Sequence, residues 1–164
     1  MSNNEYAACI FMIDGKSENP EYFAERVADY LKYKLIGSII AKDTKIFKSK
    51  EQINKPLNTA MDMGMDALVV PNIGELGKSL SGALGSVRDI MLTMIDHPIK
   101  KHRWIHFADE HVILPCASSY YNDTVGFLSV LCDFDRAVVS KRVKAGQKAA
   151  KEQGRLLGRP KKIY

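Results

Sequence analysis

The basic residues near the carboxyl end of the chain are the side chains best suited to phosphate chemistry. Residues 136–164 hold ten Lys or Arg and one acid, Glu152, whereas the first 135 residues hold 14 basic groups and 18 acids. The net charge of +5 therefore divides into −4 on the body and +9 on the tail. Basic groups segregated in this way indicate a polyanionic partner, with nucleic acid as the first candidate. A solvated charged helix is the alternative for a charge run alone.

A second candidate for phosphate binding is the segment GELGKS at residues 74–79, between a predicted buried strand and a predicted helix. That is the setting of a phosphate-binding P-loop. A P-loop needs four residues between its glycines, but only Glu75 and Leu76 separate Gly74 from Gly77. Asn72 stands where the first P-loop glycine would be. Nucleotide hydrolysis is therefore disfavoured, and we expect no cofactor.

The cysteines and histidines give no sign of a metal site or a disulfide framework. Cys9, Cys116 and Cys132 each sit in an apolar run without a CxxC pair, which favours buried thiols in a reducing cytoplasm. The histidines share no ligand spacing with cysteines or acids, so we expect no metal. Apolar runs stay far below the ~20 residues of a membrane span, and the first residues lack a signal-peptide layout. We therefore expect a cytoplasmic protein without a membrane partner.

Alternating apolar strands and amphipathic helices predict an α/β domain in the first two thirds of the chain. The helix predicted from Pro20 is followed by a polar loop at 42–51 and by a helix at 56–63 that ends at Gly64. A further helix is predicted at 79–95. The predicted strands are 8–13, 35–41, 67–71, 104–107 and 112–114. Buried strands that alternate with helices indicate a sheet covered on both faces.

From Thr124 the pattern predicts one helix of ~30 residues, capped by Asn122 or Asp123 and ended by Gly154. Its first half carries apolar residues spaced by three and four: Phe127, Leu128, Leu131, Phe134 and Val138. Its second half carries Lys141, Arg142, Lys144, Lys148 and Lys151. Because such a helix would extend past a body of this size, a second subunit or a DNA backbone is the expected contact. Packing on its own domain accounts for part of the apolar stripe.

An ungapped series of acids, arginines and glycines runs through the same region: Asp135-Arg136, Arg142, Gly146, Gly154, Gly158, Arg159 and Pro160. The series resembles the long helix and arm of the serine recombinases, the resolvase/invertase family. The segments at 64–70 and 73–79 are similar to that family's strand and following loop. The resemblance implies an α/β fold with a mixed five-stranded sheet flanked by helices, then a long C-terminal dimerisation helix and a basic arm.

The resemblance also implies how the chain is organised and what it binds. It predicts a resolvase-like α/β domain at 1–120, a dimerisation and DNA-contact helix at 121–154 and a minor-groove arm at 155–164. Gly158 permits close approach, Pro160 stiffens an extended path, and the arm's cations suit a narrow electronegative groove. The predicted contacts to double-stranded DNA, in the minor groove and along the backbone, are Arg142, Lys144, Lys148, Lys151, Arg155, Gly158, Arg159, Pro160, Lys161 and Lys162. The apolar stripe is the predicted homodimer interface, and a tetramer is left open.

Family members cleave DNA with a serine in a Tyr-x-Arg-x-Ser context, surrounded by arginines that bind the attacked phosphate. The corresponding stretch here, FMIDGKS at 11–17, has no arginine, and Ser17 lies about one residue out of step. Two further arginines of the family are replaced by Glu75, which would repel phosphate, and by Lys78, which lacks the guanidinium fork. Each lost transition-state donor costs about 3–4 kcal/mol, or ~10² to 10³ in rate.

We therefore expect a DNA-binding dimer of regulatory or architectural role that does not cleave DNA, with Ser17 capping the helix near Pro20. The first alternative is an active site-specific recombinase with Ser17 and Lys78 as its catalytic residues. The second alternative is a protein-interaction module that retains the dimer helix. No helix-turn-helix follows the arm before Tyr164, so we expect weak sequence specificity and strong salt dependence. A partner protein is one possible source of the missing specificity.

Overall fold

A computed structural model describes residues 6–154, apart from the side chains of residues 118 and 120–122. The elements in chain order are β1 (Ala7–Ile13), α1 (Pro20–Asp29), β2 (Lys34–Ala41), α2 (Lys50–Asp62), β3 (Ala67–Val70), α3 (Leu80–Asp96), β4 (Arg103–Phe107), β5 (Val112–Cys116) and α4 (Ser118–Glu152). Two short 3₁₀ turns lie at Thr44–Lys48 and Ile73–Leu76. The arm predicted at 155–164 lies outside the described residues.

The strands form one five-stranded sheet in the order β2-β1-β3-β4-β5. The first four strands in this order pair in parallel, and β5 pairs antiparallel to β4, with Pro115 opposite Trp104. The mixed five-stranded sheet that the resemblance implied is therefore confirmed. Because β1, β3 and β4 are parallel, their carboxyl ends meet at one edge of the sheet, which is called the carboxyl edge below.

Both faces of the sheet are covered, so the central strands are apolar without interruption. On β1, Cys9, Phe11 and Ile13 belong to the core shared with α2 and α3. The intervening residues of β1 belong to a smaller core on the other face, which includes Phe23 and Val27 of α1. The prediction of a sheet with helices on both faces is confirmed, and β1 is held between two packed layers.

The region before β3 differs from the sequence prediction. Residues 42–51 were expected to be a loop and a helix was expected from Pro56, but α2 begins at Lys50 and contains Pro56 in its interior. Proline removes one intrahelical hydrogen bond. The buried face formed by Ile53, Leu57 and Ala60 runs through that position, and its burial outweighs the lost bond. Pro56 therefore lies inside a helix and does not mark the start of one.

The long helix also begins earlier than predicted. Its N-cap is Ala117, directly after β5, so neither Asn122 nor Asp123 caps it. The helix is 35 residues long, and the boundary predicted at 120/121 falls inside it. Its end was predicted correctly: Gly154 has a φ of +69°, in the left-handed region that favours glycine at a helix end. A single residue thus connects the edge strand to the helix.

Gly77 fixes the loop between β3 and α3. A Cβ atom at this position would lie 2.4 Å from the backbone N of Ala83, far inside van der Waals contact. Glycine therefore permits the loop to rest on the first turn of α3. Ser79 caps that turn, as its hydroxyl accepts from Gly82 N at 3.2 Å. These contacts position the segments before and after Gly77, which contain Glu75 and Lys78.

Candidate nucleic-acid interface

Loops after three strands meet at the carboxyl edge of the sheet. The Nδ2 atom of Asn72, just after β3, donates to Ser17 Oγ at 3.2 Å and to Asp109 Oδ2 at 3.3 Å. Ser17 follows β1, and Asp109 follows β4. The carboxyl-edge cluster is defined as Ser17, Glu18, Asn72, Glu75 and Asp109. The topology thus brings Ser17 and Glu75, which are distant in sequence, into one group.

Glu75 is the centre of the carboxyl-edge cluster. Its side chain is fully buried, with 0% exposure. One carboxylate oxygen accepts from the backbone N of Ile13 at 2.5 Å, and the other accepts from the Ser17 hydroxyl. Lys16 donates to the neighbouring carbonyl of Gly74. Glu75 therefore joins the end of β1 to the loop after β3, and its carboxylate occupies the place where the resemblance would put a phosphate-binding arginine.

The structure corrects the predicted role of Ser17. Asn19, and not Ser17, caps α1, because Asn19 Oδ1 accepts from Glu21 N at 2.8 Å. The Ser17 hydroxyl instead donates to Glu75 and accepts from Asn72. The side chain that was expected to cap a helix is thus a member of the carboxyl-edge cluster. Both residue types are favoured caps, but a helix that begins with Pro20 as its first residue has Asn19 as its N-cap.

Arg26 is a member of this neighbourhood that the sequence did not reveal. Its Nη2 lies 2.9 Å from Glu18 Oε1, and its Nη1 lies 3.0 Å from Asp109 Oδ1. Its guanidinium also lies over the ring of Phe23, 5.1 Å from the ring centroid. Two carboxylates thus neutralise this arginine. The ion pairs join α1 to the loop after β4, so no local sequence pattern indicates them.

The charge at the carboxyl edge is negative. Burial raises the pKa of Glu18; the charges of Asp109 and Glu75 raise it further, whereas Arg26 lowers it. Glu110 lies beside the cluster and accepts from Ile73 N at 3.0 Å. A phosphodiester placed here would meet several carboxylates and a guanidinium that is already paired. Among the described residues here, the carboxylates of Glu18, Glu75, Asp109 and Glu110 outnumber the cations of Lys16 and Arg26.

The second predicted catalytic residue, Lys78, is exposed in the segment between β3 and α3. Among the described contacts, no hydrogen bond or ion pair joins it to Ser17. Its charge acts on Asp43: the pKa of Asp43 is lowered first by the hydrogen bond from the Lys45 backbone N–H and, less strongly, by the charges of Lys45 and Lys78. The pairing of Ser17 with Lys78 as catalytic residues stays a prediction.

The predicted apolar stripe of α4 divides between two faces. Leu128 is 6% exposed and Leu131 is half-buried, and both pack in the core of their own domain. Phe127 and Phe134 are 63% and 69% exposed, and Val138 is also exposed. Leu128 is therefore wrong as a dimer contact, because its own domain covers it. Val130, which the prediction omitted, is exposed beside the phenylalanines. The exposed apolar face of α4 is defined as Phe127, Val130, Phe134 and Val138.

The basic half of α4 projects beyond the body of the domain. Asp135 accepts from Ser81 N at 3.3 Å, at the start of α3. Every residue from 136 to 149 is exposed. The predicted DNA contacts Arg142, Lys144, Lys148 and Lys151 are all exposed, whereas Arg155, Gly158, Arg159, Pro160, Lys161 and Lys162 lie outside the described residues.

Four lysines of this half share one side of the helix. With about 100° of rotation per residue, Lys141, Lys144, Lys148 and Lys151 fall within about 80° of one another. The same geometry centres them about 65° around the helix axis from the exposed apolar face. Lys148 Nζ lies 4.0 Å from Glu152 Oε1. Because both side chains are exposed, this ion pair is weak and leaves the lysine available for another partner. These four residues are called the lysine stripe below.

Within residues 6–154, no helix has the length and apolar content that a bilayer crossing requires. In the same range, His, Cys, Asp and Glu side chains form no group of three or more that is arranged to hold a metal ion.

The sheet order, its antiparallel edge strand and the long final helix match the fold of a solved integrase domain. The N-terminal catalytic domain of the TP901-1 integrase superposes with a TM-score of 0.53 at 11% identity, covering 80% of this chain and 98% of that domain. The "Probable DNA-invertase y4cG" of Sinorhizobium fredii (strain NBRC 101917 / NGR234) is 28% identical over 100 residues. This match covers 60% of the chain but only 30% of the length of that protein. No protein-family profile matches the chain.

The chain therefore contains a domain with the fold of a serine recombinase catalytic domain, as the sequence resemblance predicts. The fold places Ser17 after β1, Glu75 after β3 and α4 at the end. The resemblance implies a nucleophile at the first of these positions, a phosphate-binding loop at the second and a DNA-contacting helix at the third. The residues around Ser17 and at Glu75 differ from the family's sequence pattern, which has arginines there.

We predict that Glu75→Ala lowers the free energy of unfolding by about 1–3 kcal/mol for the unpaired Ile13 N–H alone. Glu75→Gln should cost less, because its amide oxygen can still accept from Ile13 N. Urea unfolding of both variants measures the difference. If Glu75→Ala is as stable as the unmodified protein, the carboxylate does not hold the end of β1.

Proposed function

We propose that this chain is a DNA-binding protein of the serine resolvase/invertase family that does not cleave DNA and acts as a regulatory or architectural dimer. The observation that carries the proposal is the contrast between two surfaces. The carboxyl-edge cluster, where cleavage would occur, presents carboxylates, with Glu75 at its centre. The projecting half of α4 presents exposed lysines. The chain retains the cations that suit a DNA backbone and has lost those that suit a reacting phosphate.

The case against cleavage rests on charge. A phosphodiester gains negative charge in the transition state, so an active site needs cations within hydrogen-bond reach of it. The guanidinium of Arg26, beside the carboxyl-edge cluster, is paired with Glu18 and Asp109. The ammonium of Lys16 is also beside it and donates to the carbonyl of Gly74. Glu75 would add repulsion in place of a lost arginine. The combined losses exceed the ~10² to 10³ in rate that one missing donor costs.

The case for DNA binding rests on the lysine stripe. Its members span ten residues of helix, or about 15 Å at 1.5 Å per residue. Lysines spaced along one side of a helix suit a contact that follows a phosphate backbone and reads no base sequence. The similarity to a protein named as a probable DNA-invertase agrees with a DNA partner. The proposed arm at 155–162 would add minor-groove contacts beyond the helix.

The case for a dimer rests on the exposed apolar face of α4. Two phenylalanines more than 60% exposed on one helix face leave a large apolar area in water. A second copy of α4 would cover this area through an identical patch, as a two-fold interface requires. The lysine stripe lies further along the same helix, so pairing with the two helices parallel would bring the two stripes to the same end of the dimer.

One observation favours the alternative of an active recombinase that uses Ser17. The Ser17 hydroxyl donates to Glu75, and a carboxylate in that position can accept the proton of an attacking serine. This contact supplies a base but no cation for the phosphate. It therefore supports the alternative only if a partner protein or a second subunit brings arginines to the site.

We predict that the double change Lys144→Ala and Lys148→Ala weakens duplex binding and lowers the salt dependence of the binding constant by a slope of about 1 to 2. The measurement is a salt titration of fluorescence anisotropy with a short duplex. Lys34→Ala, an exposed lysine at the far edge of the sheet, is the matched control and should change neither quantity. A chain that ends at Gly154 tests the arm in the same assay. An unchanged slope in the double variant would place the DNA contact elsewhere and favour a protein partner.

We predict that the protein forms no covalent adduct with supercoiled DNA when the mixture is quenched with detergent. The missing cations leave the pentavalent transition state uncompensated. The measurement is a shift of labelled protein with the DNA on a denaturing gel, with Ser17→Ala run beside it. An adduct that disappears in Ser17→Ala would establish the recombinase alternative.

We predict that the unmodified protein is dimeric at micromolar concentration and that Phe134→Asp makes it monomeric without loss of helical content. A charge at the centre of the exposed apolar face would be buried without a partner on dimerisation. Light scattering after size-exclusion chromatography measures the mass. Tyr22→Asp changes an exposed aromatic residue of α1, 62% exposed, and should leave the dimer intact. Equal masses for both variants would argue against α4 as the interface.

A further inference from the structure

The strand β2 forms an outer edge of the sheet, because among the described strands it pairs with β1 alone. Unlike β5, β2 contains no proline. Its register with β1 skips Ile36, which forms a bulge, and is regular over residues 37–41. A regular stretch without proline is the kind of edge to which a further strand can be added. Residues 37–41 are called the free edge below.

The backbone hydrogen bonds show which groups of the free edge point outward. Ala41 O accepts from Asp14 N at 2.8 Å, so the backbone groups of Ala41 face β1. In a strand, the N–H and C=O of one residue point to the same side, and this side alternates from one residue to the next. Ser38 and Ile40 therefore direct their N–H and C=O groups away from β1, to the side where the described sheet has no further strand.

A cavity of about 350 Å³ borders the free edge, between β2 and α2. The apolar residues of its two walls include Ile36, Ile39, Pro56, Ala60 and Met63. Gly37 leaves the β2 wall open, since a Cβ atom there would have Cys9 Sγ as its nearest contact, at 4.0 Å. Met63 is 59% exposed. A strand paired with the free edge would direct every second side chain toward this cavity.

The chain around β2 is rich in lysine. Lys34 begins β2, and Lys42 follows its last residue. The segment 32–48 contains five lysines and one acid, Asp43, and all five lysines are exposed. Asp43 is paired with Lys45 at 3.2 Å. Because the first 135 residues together carry a net negative charge, this basic segment is a local exception, and charge complementarity favours a partner that carries carboxylates.

We propose that the free edge of β2 binds an extended segment of a partner protein in which apolar and acidic residues alternate. The segment adds a further strand to the sheet through the outward N–H and C=O groups of Ser38 and Ile40, and the cavity selects its apolar side chains. Its carboxylates offset the charge of the lysines at the two ends of β2. The site does not depend on the proposed DNA-binding function.

The experiment is a fluorescence-anisotropy titration of the full chain against a labelled peptide of alternating valine and glutamate. We expect saturable binding of this peptide and none of the matched peptide of alternating valine and lysine. Ser38→Pro removes an outward N–H but no bond to β1, so it should weaken peptide binding about tenfold or more. Ser38→Ala keeps that N–H, and as the matched control it should bind like the unmodified protein.

Gly37→Val tests the cavity separately from the backbone hydrogen bonds. The added Cβ atom has room in the fold, and the side chain takes up space that the peptide needs, so binding should again weaken about tenfold. Urea unfolding shows that the variants fold. The proposal is overturned if the unmodified protein shows no saturable binding, if Ser38→Pro and Ser38→Ala bind equally, or if folded Gly37→Val binds like the unmodified protein.

Two other occupants of the free edge give different results. If the peptide does not bind and Ser38→Pro lowers the mass in light scattering, the edge pairs with a second copy of the chain. If Ser38→Pro weakens duplex binding and the peptide does not compete with the duplex, the edge contacts nucleic acid. Either result overturns the proposal of a peptide partner. A protein that binds the peptide but no duplex retains this site and loses only the proposed DNA-binding function.

Discussion

The buried carboxylate of Glu75 is the constraint on which the carboxyl edge of the sheet depends. Burying a carboxylate costs several kcal/mol unless hydrogen bonds replace its water. Here a backbone N–H from Ile13 and the hydroxyl of Ser17 replace it. The same contacts fix the end of β1 and direct Ser17 inward. The buried carboxylate therefore stabilises this edge of the sheet by joining the end of β1 to the loop after β3.

The second organising feature is that α4 has one side packed in the core of the domain and another side exposed to water. Leu128 and Cys132 anchor the helix in its own core, while Phe127 and Phe134, on the other side, remain in water. Past Asp135 the helix has left the body, and its outer side changes from apolar to basic. The surface proposed for self-association and the surface proposed for DNA are therefore successive parts of one continuous helix. Changing the crossing angle of two such helices would change the spacing of their lysines.

The sequence predicted the elements that have strong periodicity. The run 8–13 gave β1 within one residue of its observed start, and the apolar repeat gave α4 to its end at Gly154. It could not separate Phe127 from Leu128, because adjacent helical residues differ by about 100° and only the partner surface decides which one is buried. It misplaced the start of α2 because burial outweighed Pro56. Arg26 was missed because its partners are distant in sequence.

The edge strand β5 has a further consequence. Proline has no backbone N–H, and Pro115 lies within this short outermost strand, opposite Trp104. Pairing with an incoming strand needs a regular row of such donors, so proline on an edge discourages the sheet from growing sideways. This edge of the sheet is thereby protected from pairing with another chain, although Val112 and Ile113 in the same strand are exposed. The opposite outer strand, β2, has no proline, so the two edges of the sheet differ in how readily they could accept a further strand.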